Sequence, residues 1–523
     1  MSALRLTAVI VFGLCEVGWC ESALPRTVDG KPNFQGIWQV RGTAAYDLLD
    51  HSASQGMPAG KGVVEGGEIP YQPSAAKTKL ENFTNRQTAD PLGKCYMPGV
   101  PRIMYMEFPF QIFQTPEHIA ITFEWSQVYR LIYLNGKPPL HDVVDSWMGD
   151  SRAHWEGDTL VVEVTGQNDK TWFDMAGDFH SDALGVTERY TMLDADTIRY
   201  EATIKDPKTF TKPWKISMPL ARQKNMARLM EYQCQAELEE ANGAFERDPR
   251  TWYPKPGSAP APLAAPAAMP ISQSSTLPTV KTGANLRRTA DGKPDLTGYY
   301  QSNAGGANYG LEKHRQDQFT PATRGVVIDP ADGTLPSQPW ARQERINREE
   351  PYRGYDDPTA HCFVAGVPRS TYVPSPFQIL QTPGYVVLLH ERMSWRIIPL
   401  DGRSHIPDSV RLWQGDSVGH WEGDTLVVDT TNLNGKTWLN EVGDVVSYAE
   451  HVVERFIPTD AGKITYRATV ADPIVYTKPW TIEIPLNQQA EELLEVACHE
   501  DNGDLQNLKN VRDEFRAQQK KEK

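Results

Sequence analysis

From Phe110 onward the chain reads as short segments in which β-branched and aromatic residues alternate with polar ones: HIAITFEW, VYRLIYLNG, HWEGDTLVVEV, GVTERYTML, DTIRYEATI, WKISMPL and LMEYQC. A period of two marks strands with one buried face. The interruptions, NG at Asn135, EGD at Glu156 and DAD at Asp194, are turn chemistry. The series recurs as VVLLHERM, WRIIPLDG, HWEGDTLVVDT, HVVERFIPT, KITYRATV, WTIEIPL and LLEVAC. A run of about eight strands without an intervening helical period predicts an antiparallel meander, which closes most easily into an up-and-down barrel.

The recurrence is a tandem duplication. Gly149–Trp172 returns at Gly415–Trp438, CYMPGVPR at Cys95 returns as CFVAGVPR at Cys362, and DPKTFTKPW at Asp206 returns as DPIVYTKPW at Asp472. So long a period makes each copy a whole domain. The predicted organisation is a signal peptide over 1–23, a first β-barrel over 24–253, a Pro/Ala-rich linker over 254–285, a second barrel over 286–504 and a charged helical tail over 505–523. In copy one the stretch from Leu24 to Lys94 offers one strand candidate, FQGIWQV, and little other periodicity.

Composition narrows the partners. The 523-residue chain is 40% hydrophobic with a net charge of −14, which suits two globular cores and argues against nucleic-acid or anionic-membrane partners. No stretch after the first residues approaches a membrane span, so no membrane insertion is expected. A small hydrophobic or aromatic molecule is the expected ligand; the oligomeric state is open. Arg5 before the apolar run LTAVIVFGLC points to export, to the periplasm or beyond. Cys95, Cys234, Cys362 and Cys498 fall at equivalent places in the two copies. They read as one disulfide per copy joining the start of each barrel to its last strand, with four buried thiols in a cytosolic protein as the alternative.

In the repeated hairpin, a Gly157-Asp158 turn pairs Glu156 with Thr159, Trp155 with Leu160 and His154 with Val161. His154, like His420 in copy two, then lies on the more polar face, facing either solvent or a polar lumen. The loop NDKTWFDMAGDFHSD that follows is long and ionisable. Asp174 and His180 in it are candidates for a general acid/base pair, with turn-capping as the competing role. Copy two has Asn440 and Val446 there and gains His451 where copy one has Gly185. One competent and one altered barrel are therefore expected. Glu124 with Arg130, and Glu391 with Arg396, form a second polar set; with Arg102 and Arg369 these arginines could hold a substrate carboxylate, or make structural pairs between strands. Glu188-Arg189 and Glu454-Arg455 read as exterior ladders.

Serine-triad, phosphate-loop and zinc-protease motifs are absent. No cofactor and no metal are predicted, although His154, Asp174 and His180 are of ligand type.

The motifs GVPR, PFQI, RIIPLDGR, GDSxGHWEGDTLVVDTT, KTW and TKPW resemble a family of secreted bacterial proteins without an assigned activity. Here they are Gly99–Arg102, Pro109–Ile112, Arg396–Arg403, Gly415–Thr431, Lys436–Trp438 and Thr477–Trp480. That family's loop carries Asp and His at Asp174 and His180 and a second His at His451, residues this chain divides between its copies. More distantly, GxW at Gly36–Trp38 and the meander are similar to lipocalin-like barrels, which include apolar-ligand carriers and cofactor-free decarboxylases using Tyr, Arg and Glu. Two readings follow. One is a cofactor-independent lyase, such as a decarboxylase, acting on a hydrophobic or aromatic acid, with Asp174, His180, His154 and Glu124 moving protons and Arg102, Arg130, Arg369, Arg396, Glu391, His420 and His451 holding substrate. The other is a periplasmic binding protein for an apolar ligand.

Overall fold

The computed structural model describes residues 24–139, 145–242, 277–316, 320–348, 351–500 and 502–522. The expected signal segment and most of the expected linker lie outside them. Copy one contains β1 (Gly36–Val40), α1 (Pro73–Ala89), β2 (Phe110–Gln114), β3 (His118–Phe123), β4 (Tyr129–Tyr133), β5 (Asp150–Glu156), β6 (Thr159–Thr165), β7 (Gly185–Asp194), β8 (Thr197–Lys205), β9 (Trp214–Arg222) and α2 (Cys234–Ala241). Copy two contains β10 (Gly298–Ser302), β11 (Val327–Asp329), α3 (Pro339–Arg348), β12 (Phe377–Thr382), β13 (Tyr385–His390), β14 (Ser394–Pro399), β15 (Asp416–Glu422), β16 (Thr425–Thr431), β17 (His451–Asp460), β18 (Lys463–Ala471), β19 (Trp480–Gln489) and α4 (Gly503–Glu522). The protein is all-β with two barrels. No helix among the described residues is long and apolar enough to cross a membrane.

β1 to β9 form a closed barrel in sequence order. Closure comes from a parallel pair, Ile132 with Ser151 and Tyr133 with Arg152, where a wholly antiparallel meander was expected. Copy two repeats the order, but β14 and β15 at its two ends are not paired. There the Gln414 side chain donates to the Trp395 carbonyl at 2.9 Å. The β5–β6 hairpin has the register its turn dictates, with Glu156 opposite Thr159, Trp155 opposite Leu160 and His154 opposite Val161. The helix α1 has no strong apolar stripe; its one local signal is Pro73 at its start.

Every residue of β2 and β3 is buried, which requires cover on both faces of the sheet. Phe110, Ile112, Ile119 and Ile121 fill their own barrel. On the other face Phe113, Ala120 and Tyr129 pack against Leu380, Val387, Leu389 and Trp395 of copy two, and the Trp395 indole donates to the Phe123 carbonyl at 2.9 Å. The barrels are thus joined through the outer faces of equivalent strands.

Two extended arms lock this interface reciprocally. LMEYQC and LLEVAC, expected as last strands, are outside any strand, because their hydrogen bonds go elsewhere. Glu124 accepts from Met230 N at 3.0 Å and Glu391 from Leu494 N at 3.3 Å, fastening each arm to its own barrel. Glu231 then accepts from the backbone N–H groups of Trp413 and Gln414 in copy two. Glu495 accepts from those of Trp147 and Met148 in copy one, at 2.7 and 2.9 Å. Disulfides Cys95–Cys234 and Cys362–Cys498 hold the arm ends, although Cys234 opens α2 rather than ending a strand.

Burial pushes Glu231 and Glu495 up from 4.5 to about 7, against the pull of the backbone donors. An acid raised on folding gives stability that is full below its unfolded value and lost as pH rises through its folded value. The advantage of wild type over the Glu231→Gln/Glu495→Gln variant should therefore shrink by ~1–3 kcal/mol between pH 5 and 8. Urea titrations at both pH values check this, and a constant difference would contradict it.

Candidate functional site

The residues expected to do chemistry in copy one are pinned in place. Asp174 is buried and accepts from the N–H groups of Leu48 and Asp178, at 2.9 and 3.0 Å. Burial first, then the neighbouring Asp178 carboxylate, hold its carboxyl well above the usual range. At the equivalent place in copy two the Asn440 amide donates to Asp444 at 2.7 Å. A donor is needed between these two side chains, and a protonated Asp174 supplies it. Asp47, Asp174 and Asp178 are the only group of three or more metal-ligand types among the described residues whose ligand atoms all lie within 4.8 Å of one another. Lys79 already sits 3.2 Å from Asp178, and Tyr71 donates to it at 2.7 Å.

His180 does not meet Asp174. Its Nδ1 faces the Ser181 carbonyl at 2.9 Å and must carry the hydrogen, so Nε2 accepts from the Thr171 hydroxyl at 2.6 Å. Burial lowers its pKa, and the ring is neutral with both nitrogens occupied. His154 and His420 lie on the solvent side of their hairpins beside Glu156 and Glu422, away from any lumen.

The arginines are equally committed. Arg102 forks onto Asp90 at 2.8 and 2.7 Å, and Arg369 onto Asp357 at 2.9 and 2.8 Å. Arg130 and Arg396 do not pair with Glu124 and Glu391, which hold the arms. Arg130 instead meets Glu188 bidentately inside the barrel, with Ser151 at 3.0 Å and the Tyr200 hydroxyl on Glu188 at 2.8 Å. Arg396 repeats this with Glu454, Ser417 and Thr430. Glu188 is thus no member of an exterior ladder. On β7 it points inward with Val186 and Tyr190, while Arg189 on the alternate face pairs with Glu156 at 2.8 Å. The two lumens are filled by these networks and by apolar side chains.

A histidine–aspartate constellation lies partly open to solvent on the outside of the second barrel. His405, in the loop between β14 and β15, has Nδ1 at 2.9 Å from Asp416 and Nε2 at 3.1 Å from Asp429. Both carboxylates can only accept, so both nitrogens carry hydrogen. The hydrogen bonds it donates to Asp416 and then Asp429 raise its pKa from 6.5 to about 9. The same Asp429 oxygen lies 3.0 Å from His451 Nε2 at the start of β17. Burial opposes ionisation of Asp429, but its two histidine donors hold it well below the usual carboxylate range. His451 therefore donates through Nε2, which leaves the lone pair of the neutral ring on Nδ1. Arg228 from the arm of copy one binds Asp416 at the far end.

The sequence pointed to His451 but missed His405, Asp416 and Asp429. A signal existed: His405 and His451 stand where copy one has Pro139 and Gly185. In copy one Arg152 occupies this region, bonded to Asp150 and to Glu492 of the opposite arm. No family model, curated protein or solved structure matches the chain.

Proposed function

We propose that the second copy performs acid–base chemistry on a small hydrophobic or aromatic acid, as a cofactor-independent lyase. The observation that carries this reading is the chain Asp416–His405–Asp429–His451, in which a charged inner histidine and an ionised aspartate hold an outer histidine in one tautomer. Such a carboxylate–imidazole arrangement fixes the proton-transfer atom and stabilises the imidazolium when it forms. In a decarboxylation, the bond to the carboxylate breaks, CO2 leaves with the electron pair left on carbon, and His451, having taken a proton from solvent at Nδ1, delivers it to that carbon. The paired disulfides suit the oxidising compartment this reading assumes.

A second reading, a carrier without catalysis, is favoured by one observation. The cavity of about 480 Å³ described below includes neither His405 nor His451 in its lining. Following CO2 release from a panel of aromatic and aliphatic acids separates the two. The lyase reading expects turnover that falls by roughly 10²-fold or more in His451→Asn. Bound acid recovered intact across the panel would replace it with the carrier.

A further inference from the structure

A cavity of about 480 Å³ lies where α2, the end of the first arm, meets the second barrel, within the size range of small-molecule sites. Its walls carry two aromatic rings, Trp413 and Tyr448, and three glutamates: Glu231, held by the N–H groups of Trp413 and Gln414, Glu240, held by Lys436, and Glu237. Lys436 lies 5.6 Å from the Trp413 ring and is neutralised by Glu240 of α2. Arg411 is different: its guanidinium is 5.8 Å from the Tyr448 ring, it is exposed, and it has no carboxylate partner among the described residues. A planar cation beside aromatic surface is the chemistry that recognises an aromatic carboxylate, the ring lying against the two aromatic side chains and the carboxylate on the guanidinium fork.

The duplication supplies a built-in comparison. Copy one keeps the tryptophan and lysine as Trp147 and Lys170, with Lys170 5.7 Å from the Trp147 ring. At the places of Arg411 and Tyr448, however, it has Asp145 and Asp182. Asp182 is neutralised by Lys208 at 2.5 Å, so the contrast rests on Asp145, which would repel the carboxylate that Arg411 would hold.

We infer that the cavity between α2 and the second barrel is a binding site for a small aromatic carboxylic acid, with Arg411 holding the carboxylate and Trp413 and Tyr448 the ring. The inference rests on the reading above for the ligand class alone: with neither His405 nor His451 in its lining, the cavity is a place where the acid binds and not where its proton is transferred.

The test is equilibrium binding to the full chain, using benzoate and 1-naphthoate against their neutral amides, by calorimetry and tryptophan fluorescence. The carboxylates should bind at least fivefold more tightly than the amides. Arg411→Gln should abolish that preference, while Asp145→Asn leaves it unchanged. Carboxylates that bind no better than the amides, or a preference that survives Arg411→Gln, would overturn the site. Binding of this kind without turnover of any acid would sink the lyase reading and leave the site standing. Turnover of an acid together with no carboxylate preference in binding would do the reverse.

Discussion

Replacing Arg130 with Met should destabilise the first barrel by about 3–5 kcal/mol, because it strands a buried carboxylate. Glu188 is fully buried, and its only cationic partner among the described residues is the Arg130 fork. The Tyr190 and Tyr200 hydroxyls that also reach it, at 3.1 and 2.8 Å, donate hydrogen bonds but carry no charge. Adding Glu188→Gln removes the orphan charge and should recover at least half of the loss. Urea unfolding of the single and double variants measures both effects, and a single-variant loss under about 1 kcal/mol would mean that the pair is solvated. Arg396 and Glu454 should behave alike in the second barrel, which repeats the geometry.

The Cys95→Ser/Cys234→Ser variant is expected to lose about 2–5 kcal/mol, at the upper end if chain entropy dominates. The bond closes a loop with a sequence separation of 139 residues, long enough to restrict the unfolded chain strongly. It also fixes the arm that carries Leu229 into the inter-barrel contact and Glu231 onto copy two. Loss should therefore appear twice, as a lower unfolding midpoint and as faster proteolysis between Met226 and Gln233. A lower midpoint with unchanged cleavage of the arm would confine the role of the disulfide to the unfolded state.

What was legible in the sequence was local. The hairpin register followed from a two-residue turn, and the disulfide partners followed from matching cysteines in the two copies. The duplication gave the number of domains. Facing was harder to read. Glu188-Arg189 has the pattern of an exterior pair, and only the position of β7 in the closed barrel turns Glu188 inward against Arg130. The arms look like strands because they are extended and apolar, yet their partners belong to the opposite barrel, a relation no local window contains. Asp174 and His180 attracted a catalytic reading because their types suit it. Their burial assigns them to holding a loop instead. His405 was missed because its partners, Asp416 and Asp429, are brought to it by two other strands.

The claim that copy two carries a poised acid–base chain can be tested before any substrate is known, by proton-detected NMR of nitrogen-labelled histidine. The account predicts that His405 keeps hydrogen on both ring nitrogens past neutrality and loses one near pH 9, and that neutral His451 holds its hydrogen on Nε2. Deprotonation of His405 near its ordinary value of 6.5, or a neutral His451 carrying hydrogen on Nδ1, would contradict it.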